Sequence, residues 1–283
     1  MPGLPASRFA LPKRRRSALQ LRGAPDLTAK METKSSIPKP GKVAADYSQP
    51  MRPLEEVVLE ISRLPENWHA AGSVTRPVLE AIVRYAADRT IVESAESGSG
   101  KTTLLFSHLS ARHRVFALEG DNRSITAARN SPLLRPGVVE FIEGPTQLTL
   151  PNYRFPTKLQ LALIDGPHGF PFPELEYYYF YPHLDARALL LVDDIQIPTI
   201  FRLFEILKED SMFNLLEVVE NTAFFERTEA PVFSPVGDGW WLQPYNKRRF
   251  PVAHELNRLR RICSEELIQP IKRALKGNKA KRR

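Results

Sequence analysis

Cysteine is nearly absent: the 283-residue chain holds one, Cys263. A single thiol excludes an internal disulfide and a cysteine-built zinc site. Cys263 itself reads as a small buried residue on a helix. No apolar run approaches the roughly 18 residues that a membrane span requires, so no transmembrane helix is expected. The basic residues near the start have no apolar segment behind them, and no secretory signal is expected. These absences favour a reducing, cytoplasmic setting.

Positive charge is scarce where a net +8 would suggest it. Residues 1–52 hold 11 Lys/Arg against 3 Asp/Glu, and residues 270–283 hold 7 Lys/Arg and no acid. The stretch between them has 22 basic and 29 acidic residues, a net of −7. A protein built to grip nucleic acid carries its basic stripe on the folded body. Nucleic acid is therefore expected only as a non-specific partner of the tails. Residues 1–52, rich in Pro, Ser, Lys and Arg and without periodicity, read as a disordered basic tail. Residues 53–245 form the expected domain, and 246–283 an amphipathic helix (Leu256, Leu259, Cys263, Leu267) with a second basic tail.

Within the domain, two helical patterns at about 53–64 and 73–87 come first. Strands are then expected at 89–95, 114–119, 138–142, 159–165 and 188–194, with helices at 101–109, 122–129, 174–183 and 199–208 between and after them. Residues 215–219 and 223–227 read as a terminal hairpin. Strands alternating with helices give a doubly wound, mostly parallel α/β sheet that ends in an antiparallel hairpin. Ligands of such sheets sit beyond the carboxyl ends of the strands. Three of the expected strands end in acids: Glu119, Asp165 and Asp193.

The chain is organised around Glu96-Ser97-Gly98-Ser99-Gly100-Lys101-Thr102-Thr103, a Gly/Ser turn between a strand and a helix. Backbone amides at such a turn, with the positive end of the helix dipole, make a ligand cradle. Two chemistries fit these letters. Read as a P-loop, the turn resembles that of transporter-type ATPases. Lys101 would then reach the β/γ-phosphates, Thr102 would bind Mg²⁺ and Asp193 would be the Walker B acid. Against this, Ala95 stands where the pattern has its first glycine, and no Leu-Ser-Gly-Gly signature or guanine-specificity motif is present.

Read the other way, Glu96-x-Gly98-x-Gly100 resembles the first motif of the class I S-adenosylmethionine-dependent methyltransferases. Leu163-Ile164-Asp165-Gly166-Pro167-His168 looks like the Asp-Gly-x-His segment of one branch of that family, and Leu191-Val192-Asp193-Asp194 like its Val-Asp-Asp strand end. The likeness covers about residues 70–230 and is the better supported of the two. It implies a Rossmann-like methyltransferase fold with S-adenosylmethionine as cofactor. Glu96 would pair with the cationic methionine end, directly or through water. Gly98 and Gly100 would admit the cofactor to the backbone, and Glu119, 19 residues after Gly100, would accept the ribose hydroxyls. Thr146 and Gln147, after the third strand, would touch the adenine. Asp165 and His168 would be the catalytic pair, with His168 the general base because imidazole titrates near pH 6.5. The family's cation-dependent O-methyltransferases gather oxygen ligands at these strand ends, so the resemblance permits a divalent cation such as Mg²⁺ on Asp165, Asp193 and Asp194. The expected reaction is methylation, favouring oxygen, of a small-molecule acceptor. Lys101 and Thr102 then become first-turn helix residues. Tyr177, Tyr181 and Trp240-Trp241 are expected to pack in the core.

Overall fold

The computed structural model of this chain describes residues 52–65, 68, 74–118, 123–234 and 239–250, with a few isolated positions beyond. The tail expected over 1–52 lies outside the described residues save Arg52, as does nearly all of 251–283. Glu119 is outside them too. Among the described residues no helix is long and apolar enough to cross a membrane.

Two helices open the described chain, α1 (Leu54–Ser62) and α2 (Arg76–Ala86). Then β1 (Ile91–Ser97), α3 (Lys101–Leu109), β2 (Ser110–Ala117), α4 (Ser124–Arg129), β3 (Val139–Glu143) and the short α5 (Thr146–Thr149) follow. After these come β4 (Leu159–Ile164), α6 (Phe172–Phe180), β5 (Leu184–Val192), α7 (Pro198–Glu209), β6 (Phe213–Val219), β7 (Thr222–Arg227) and α8 (Pro244–Arg249). The seven strands form one sheet in the order β3-β2-β1-β4-β5-β7-β6. β1 to β5 run parallel, and β7 is antiparallel to both β5 and β6. The expected doubly wound sheet with its terminal hairpin is the fold of this protein.

Alternation along the central strands divides the core. Leu161 and Leu163 of β4, with Leu189 and Leu191 of β5, pack under α1, α2 and α3. Ala162, Ile164, Leu190 and Val192 face the other way, onto α6 and α7. All eight are essentially inaccessible to solvent. Burial on both faces is why these strands read as continuous apolar runs.

Elements differ from expectation where polar residues are buried. β2 starts at Ser110, directly after α3, four residues before the expected Arg114. Ser110, Arg112, His113 and Arg114 hide the strand in the sequence because their partners are distant. Ser94 Oγ pairs with Ser110 Oγ at 2.5 Å and with His113 Nδ1 at 2.8 Å. Arg112 and Arg114 reach the buried Glu93 of the neighbouring strand. Likewise β5 begins at Leu184 rather than 188, and residues 247–249 form the last turn of α8. There Lys247, Arg248 and Arg249 sit at the helix end that favours cations, and Arg249 Nη1 donates to Glu209 Oε2 at 2.9 Å. Tyr181 is buried as expected and stacks on Tyr177 at 5.0 Å. Trp240 and Trp241 are not core residues: both are half-buried on a short 3-10 turn. Cys263 is exposed, not buried.

Candidate active site

The chain leaves β1 toward β2 and β3 on one side, then returns to β4 on the other. The carboxyl ends of β1 and β4 therefore part the loops that follow them, and a crevice opens there. A cavity of roughly 570 Å³ occupies it, within the range of small-ligand sites. Five strand ends contribute: Gly98–Thr102 after β1, Leu118 after β2, Pro145–Gln147 after β3, Asp165–His168 after β4, and Asp193–Asp194 after β5.

The Gly turn is shaped by protein contacts first. Gly98 has φ +85°, and its amide donates to the carbonyl of Phe116 at 3.0 Å. A Cβ at this position would lie 2.2 Å from the carbonyl oxygen of Asp165. Glycine is thus required by the approach of the β4 loop, quite apart from any ligand. Gly100 lines the cavity at the N-terminus of α3.

Glu96 does not line the cavity. Its side chain is fully buried beneath the turn. Thr102 Oγ1 donates to Glu96 Oε2 at 2.7 Å, and the Thr103 hydroxyl donates to Oε1. The Gly100 amide in turn donates to Thr103 Oγ1 at 3.0 Å. His113 Nε2 stands 3.2 Å from Glu96 Oε1. The acid expected to meet the cofactor's cationic end, directly or through water, clamps the turn to the first turn of the helix. The same contacts explain Lys101 and Thr102. The Thr102 hydroxyl is committed to Glu96, and Lys101 Nζ reaches the Leu64 carbonyl at 3.5 Å. Asp193, the Walker B acid of the rival reading, accepts a hydrogen bond from the Thr222 hydroxyl. The P-loop reading is set aside.

Opposite the turn, Asp165, His168 and Asp194 converge. His168 Nε2 is 3.3 Å from Asp194 Oδ2 and 3.7 Å from Asp165 Oδ1. One ligand atom from each lies within 4.8 Å of the others. The expected oxygen trio of Asp165, Asp193 and Asp194 is not the one assembled here, because Asp193 turns to Thr222 and His168 takes its place. Asp194 has φ 56°, a left-handed conformation that Asp tolerates better than most residues. The Thr199 hydroxyl holds the His168 carbonyl and ties this loop to α7.

These contacts set the ionisation of the cluster. Enclosure pushes the Asp165 carboxyl up to about 8, with the neighbouring Asp193 and Asp194 adding to the rise and His168 opposing it. The Asp165 contact, and then the fields of Asp165, Asp194 and Asp193, raise His168 above the usual imidazole value against its partial burial. Burial likewise raises Asp193. A basic imidazole beside acids at a cavity mouth can accept a proton or help hold a cation.

On the far side, Thr146 and Gln147 begin α5 and both line the cavity. Thr146 is buried, and among the described residues no hydrogen bond of good geometry engages its hydroxyl. Of the expected site residues, Gly98, Gly100, Thr146, Gln147, Asp165 and His168 share one cavity. Glu96 lies outside it, and Glu119 falls outside the described residues. Sequence reasoning missed Leu118 and Pro145, although their places just after strand ends could have marked them. It also missed Val74 and Phe172, which no motif announces.

Residues 95–195 match the family model of a methyltransferase domain. The match begins inside β1 and ends one residue past Asp194, and so spans nearly the whole cavity lining. No curated protein matches the chain in sequence. Among solved structures it is similar to the O-methyltransferase TomG from Streptomyces achromogenes, involved in tomaymycin synthesis and in complex with SAM. The identity is 14%, with 61% of this chain and 90% of that one covered and a TM-score of 0.48. It is also similar to an O-methyltransferase from Bacillus cereus in complex with SAH, at 16% identity, 65% and 94% coverage and a TM-score of 0.44. The family match and the strand-end cavity coincide: residues 95–195 are similar to a methyltransferase domain.

Proposed function

We propose that this protein methylates an oxygen of a small-molecule acceptor, with His168 as the general base. The observation that carries the reading is the position of His168 at the cavity mouth, its side chain 41% exposed and its Nε2 between two carboxylates. S-adenosylmethionine fits the cavity by its donor set: the amide-rich turn at Gly98–Lys101, the polar side chains of Thr146 and Gln147, and the acids opposite them. When bound, it supplies an electrophilic methyl group on a sulfonium. The protein's own work is alignment and proton removal. His168 would take the proton from the acceptor hydroxyl as that oxygen is methylated. Asp165 and Asp194 stabilise the imidazolium that results. Gly98, Gly100, Thr146 and Gln147 hold the cofactor side of the cavity, and we assign Glu119 to the ribose from its place just after β2.

A second reading rests on the 4.8 Å cluster: Asp165, His168 and Asp194 would hold a divalent cation, which would supply Lewis-acid activation of the acceptor. Two carboxylates and an imidazole form a mixed set that suits a transition ion better than Mg²⁺, which prefers oxygen throughout. His168 cannot be ligand and free base at once, so the readings separate cleanly.

The experiment is thermal stabilisation by S-adenosylhomocysteine against Mg·ATP, followed by methyl transfer to a panel of hydroxylated acceptors with and without excess EDTA. A ligand at about 100 times its Kd adds roughly 2.7 kcal/mol to the native state. Stabilisation by S-adenosylhomocysteine alone, with turnover unchanged in EDTA, is the expected result. Loss of turnover on chelation would move His168 to the metal. Stabilisation by Mg·ATP alone would sink the proposal.

A further inference from the structure

Glu176 is a buried acid that the proposed chemistry leaves unused. It lies on α6 with no exposed surface, and among the described residues neither carboxylate oxygen has a hydrogen-bond partner of good geometry. It sits directly behind Gly166, the second residue of the Asp165–His168 segment. A Cβ on Gly166 would fall 2.1 Å from Glu176 Oε1 and 2.6 Å from Oε2. The Gly166 backbone after β4, part of the cavity lining, lies against this carboxylate, and the hydroxyls of Ser97 at the end of β1 and Thr146 at the start of α5 favour its ionised form. Ser97 in turn accepts the Asp165 amide on its Oγ at 3.1 Å. Among the described residues the buried Thr146 hydroxyl has no other hydrogen-bond partner. Apolar residues would have been the cheaper filling for such a place.

We propose that Glu176 is a positioning residue that joins the two halves of the site. It holds Ser97 and Thr146 on the cofactor side and Gly166 on the catalytic side, and so fixes where His168 stands relative to the transferred methyl group. Burial pushes its carboxyl up to about 7, against the pull of Ser97, Thr146, His168 and the Gly166 amide. In the protonated form one oxygen donates toward a hydroxyl while the other accepts the Gly166 amide. A Gln side chain reproduces that pairing, whereas Ala and the shorter Asp do not. Aspartate withdraws the carboxyl by one methylene from Gly166.

The test uses the full chain and two readouts that need no acceptor. One is the Kd for S-adenosylhomocysteine by calorimetry, measured well below each variant's melting temperature. The other is the position and width of the His168 imidazole signal in NMR spectra of the ligand-free protein. Glu176→Ala and Glu176→Asp should weaken S-adenosylhomocysteine about tenfold, the effect of one lost buried hydrogen-bond partner. Both should also shift or broaden the His168 signal, while Glu176→Gln stays within about twofold of wild type and leaves that signal in place. If Glu176→Ala fails to fold, the Asp and Gln pair carries the comparison. Unchanged affinity and an unchanged His168 signal in a folded Ala or Asp variant would overturn the proposal. So would a Gln variant as damaged as the Asp one. This inference rests on the cofactor assignment for its first readout only. If wild type itself ignores S-adenosylhomocysteine, the assignment fails and the His168 signal still decides the role of Glu176.

Discussion

Two groups of strand-end acids in this molecule look alike on paper and do opposite things. Glu96, in β1, is sealed from solvent and engaged by two threonine hydroxyls with a histidine nearby. Asp165, Asp193 and Asp194, after β4 and β5, line the cavity, and two of them hold an imidazole between them. Both groups stand where doubly wound sheets put functional groups. The difference lies in partners. A carboxylate whose hydrogen bonds are met from within the fold stabilises the fold. One that keeps an open side beside a partly exposed base is available to a substrate. Position along a strand nominates a residue; satisfaction of its polar atoms decides between architecture and chemistry.

The sharpest way to break this comparison is at the point where the two groups touch. Gly98 belongs to the Glu96 turn, and its missing Cβ makes room for the Asp165 carbonyl. Gly98→Ala should push the two loops apart. We expect destabilisation of more than about 2 kcal/mol, from left-handed strain and the clash together, with S-adenosylhomocysteine binding lost; denaturant melts and calorimetry would check both. Next in size is His168→Ala, which should lower kcat by about 10²–10⁴ while the Kd for S-adenosylhomocysteine stays near wild type. A large loss of binding instead would place His168 in the cofactor scaffold.

Glu96→Gln tests the other member of the comparison. It should cost about 1–3 kcal/mol of stability by leaving buried hydroxyls poorly matched, with little change in kcat in the protein that remains folded. A selective collapse of kcat would return Glu96 to the chemistry.

Asp165→Asn sharpens the reading of the open cluster. His168 must be neutral to take a proton, so activity should rise with pH through an inflection above the ordinary imidazole value, because Asp165 and Asp194 favour the imidazolium. Removing Asp165 deletes the largest of those causes, and the inflection of residual activity should move to lower pH. An inflection that stays put would mean another group controls the profile. The smallest effect is expected at Lys101→Ala, whose side chain reaches the Leu64 carbonyl. S-adenosylhomocysteine affinity should hold within about twofold, whereas a total loss of function would revive the phosphate reading.

Much of this was open to a reader of the chain alone. The apolar runs at Leu161–Ile164 and Leu189–Val192 mark strands buried on both faces, and their alternation with helices fixes the parallel sheet. The Glu96–Gly100 turn, Asp165–His168 and Asp193–Asp194 stand at intervals that announce the class of domain. Such features are local: they follow from a few neighbouring residues and the periods of helix and strand. Only the tertiary structure could assign the jobs. It buried Glu96 because threonines of the next helix turn reach back to it, and it turned Asp193 to Thr222 of the antiparallel strand, 29 residues on. It put His168 into the acid cluster, and it set Glu176 behind a glycine of the catalytic loop. Each of these depends on distances between segments far apart in the chain. A carboxylate's role is set by its partners and its solvent, and those are not fixed until the chain has folded.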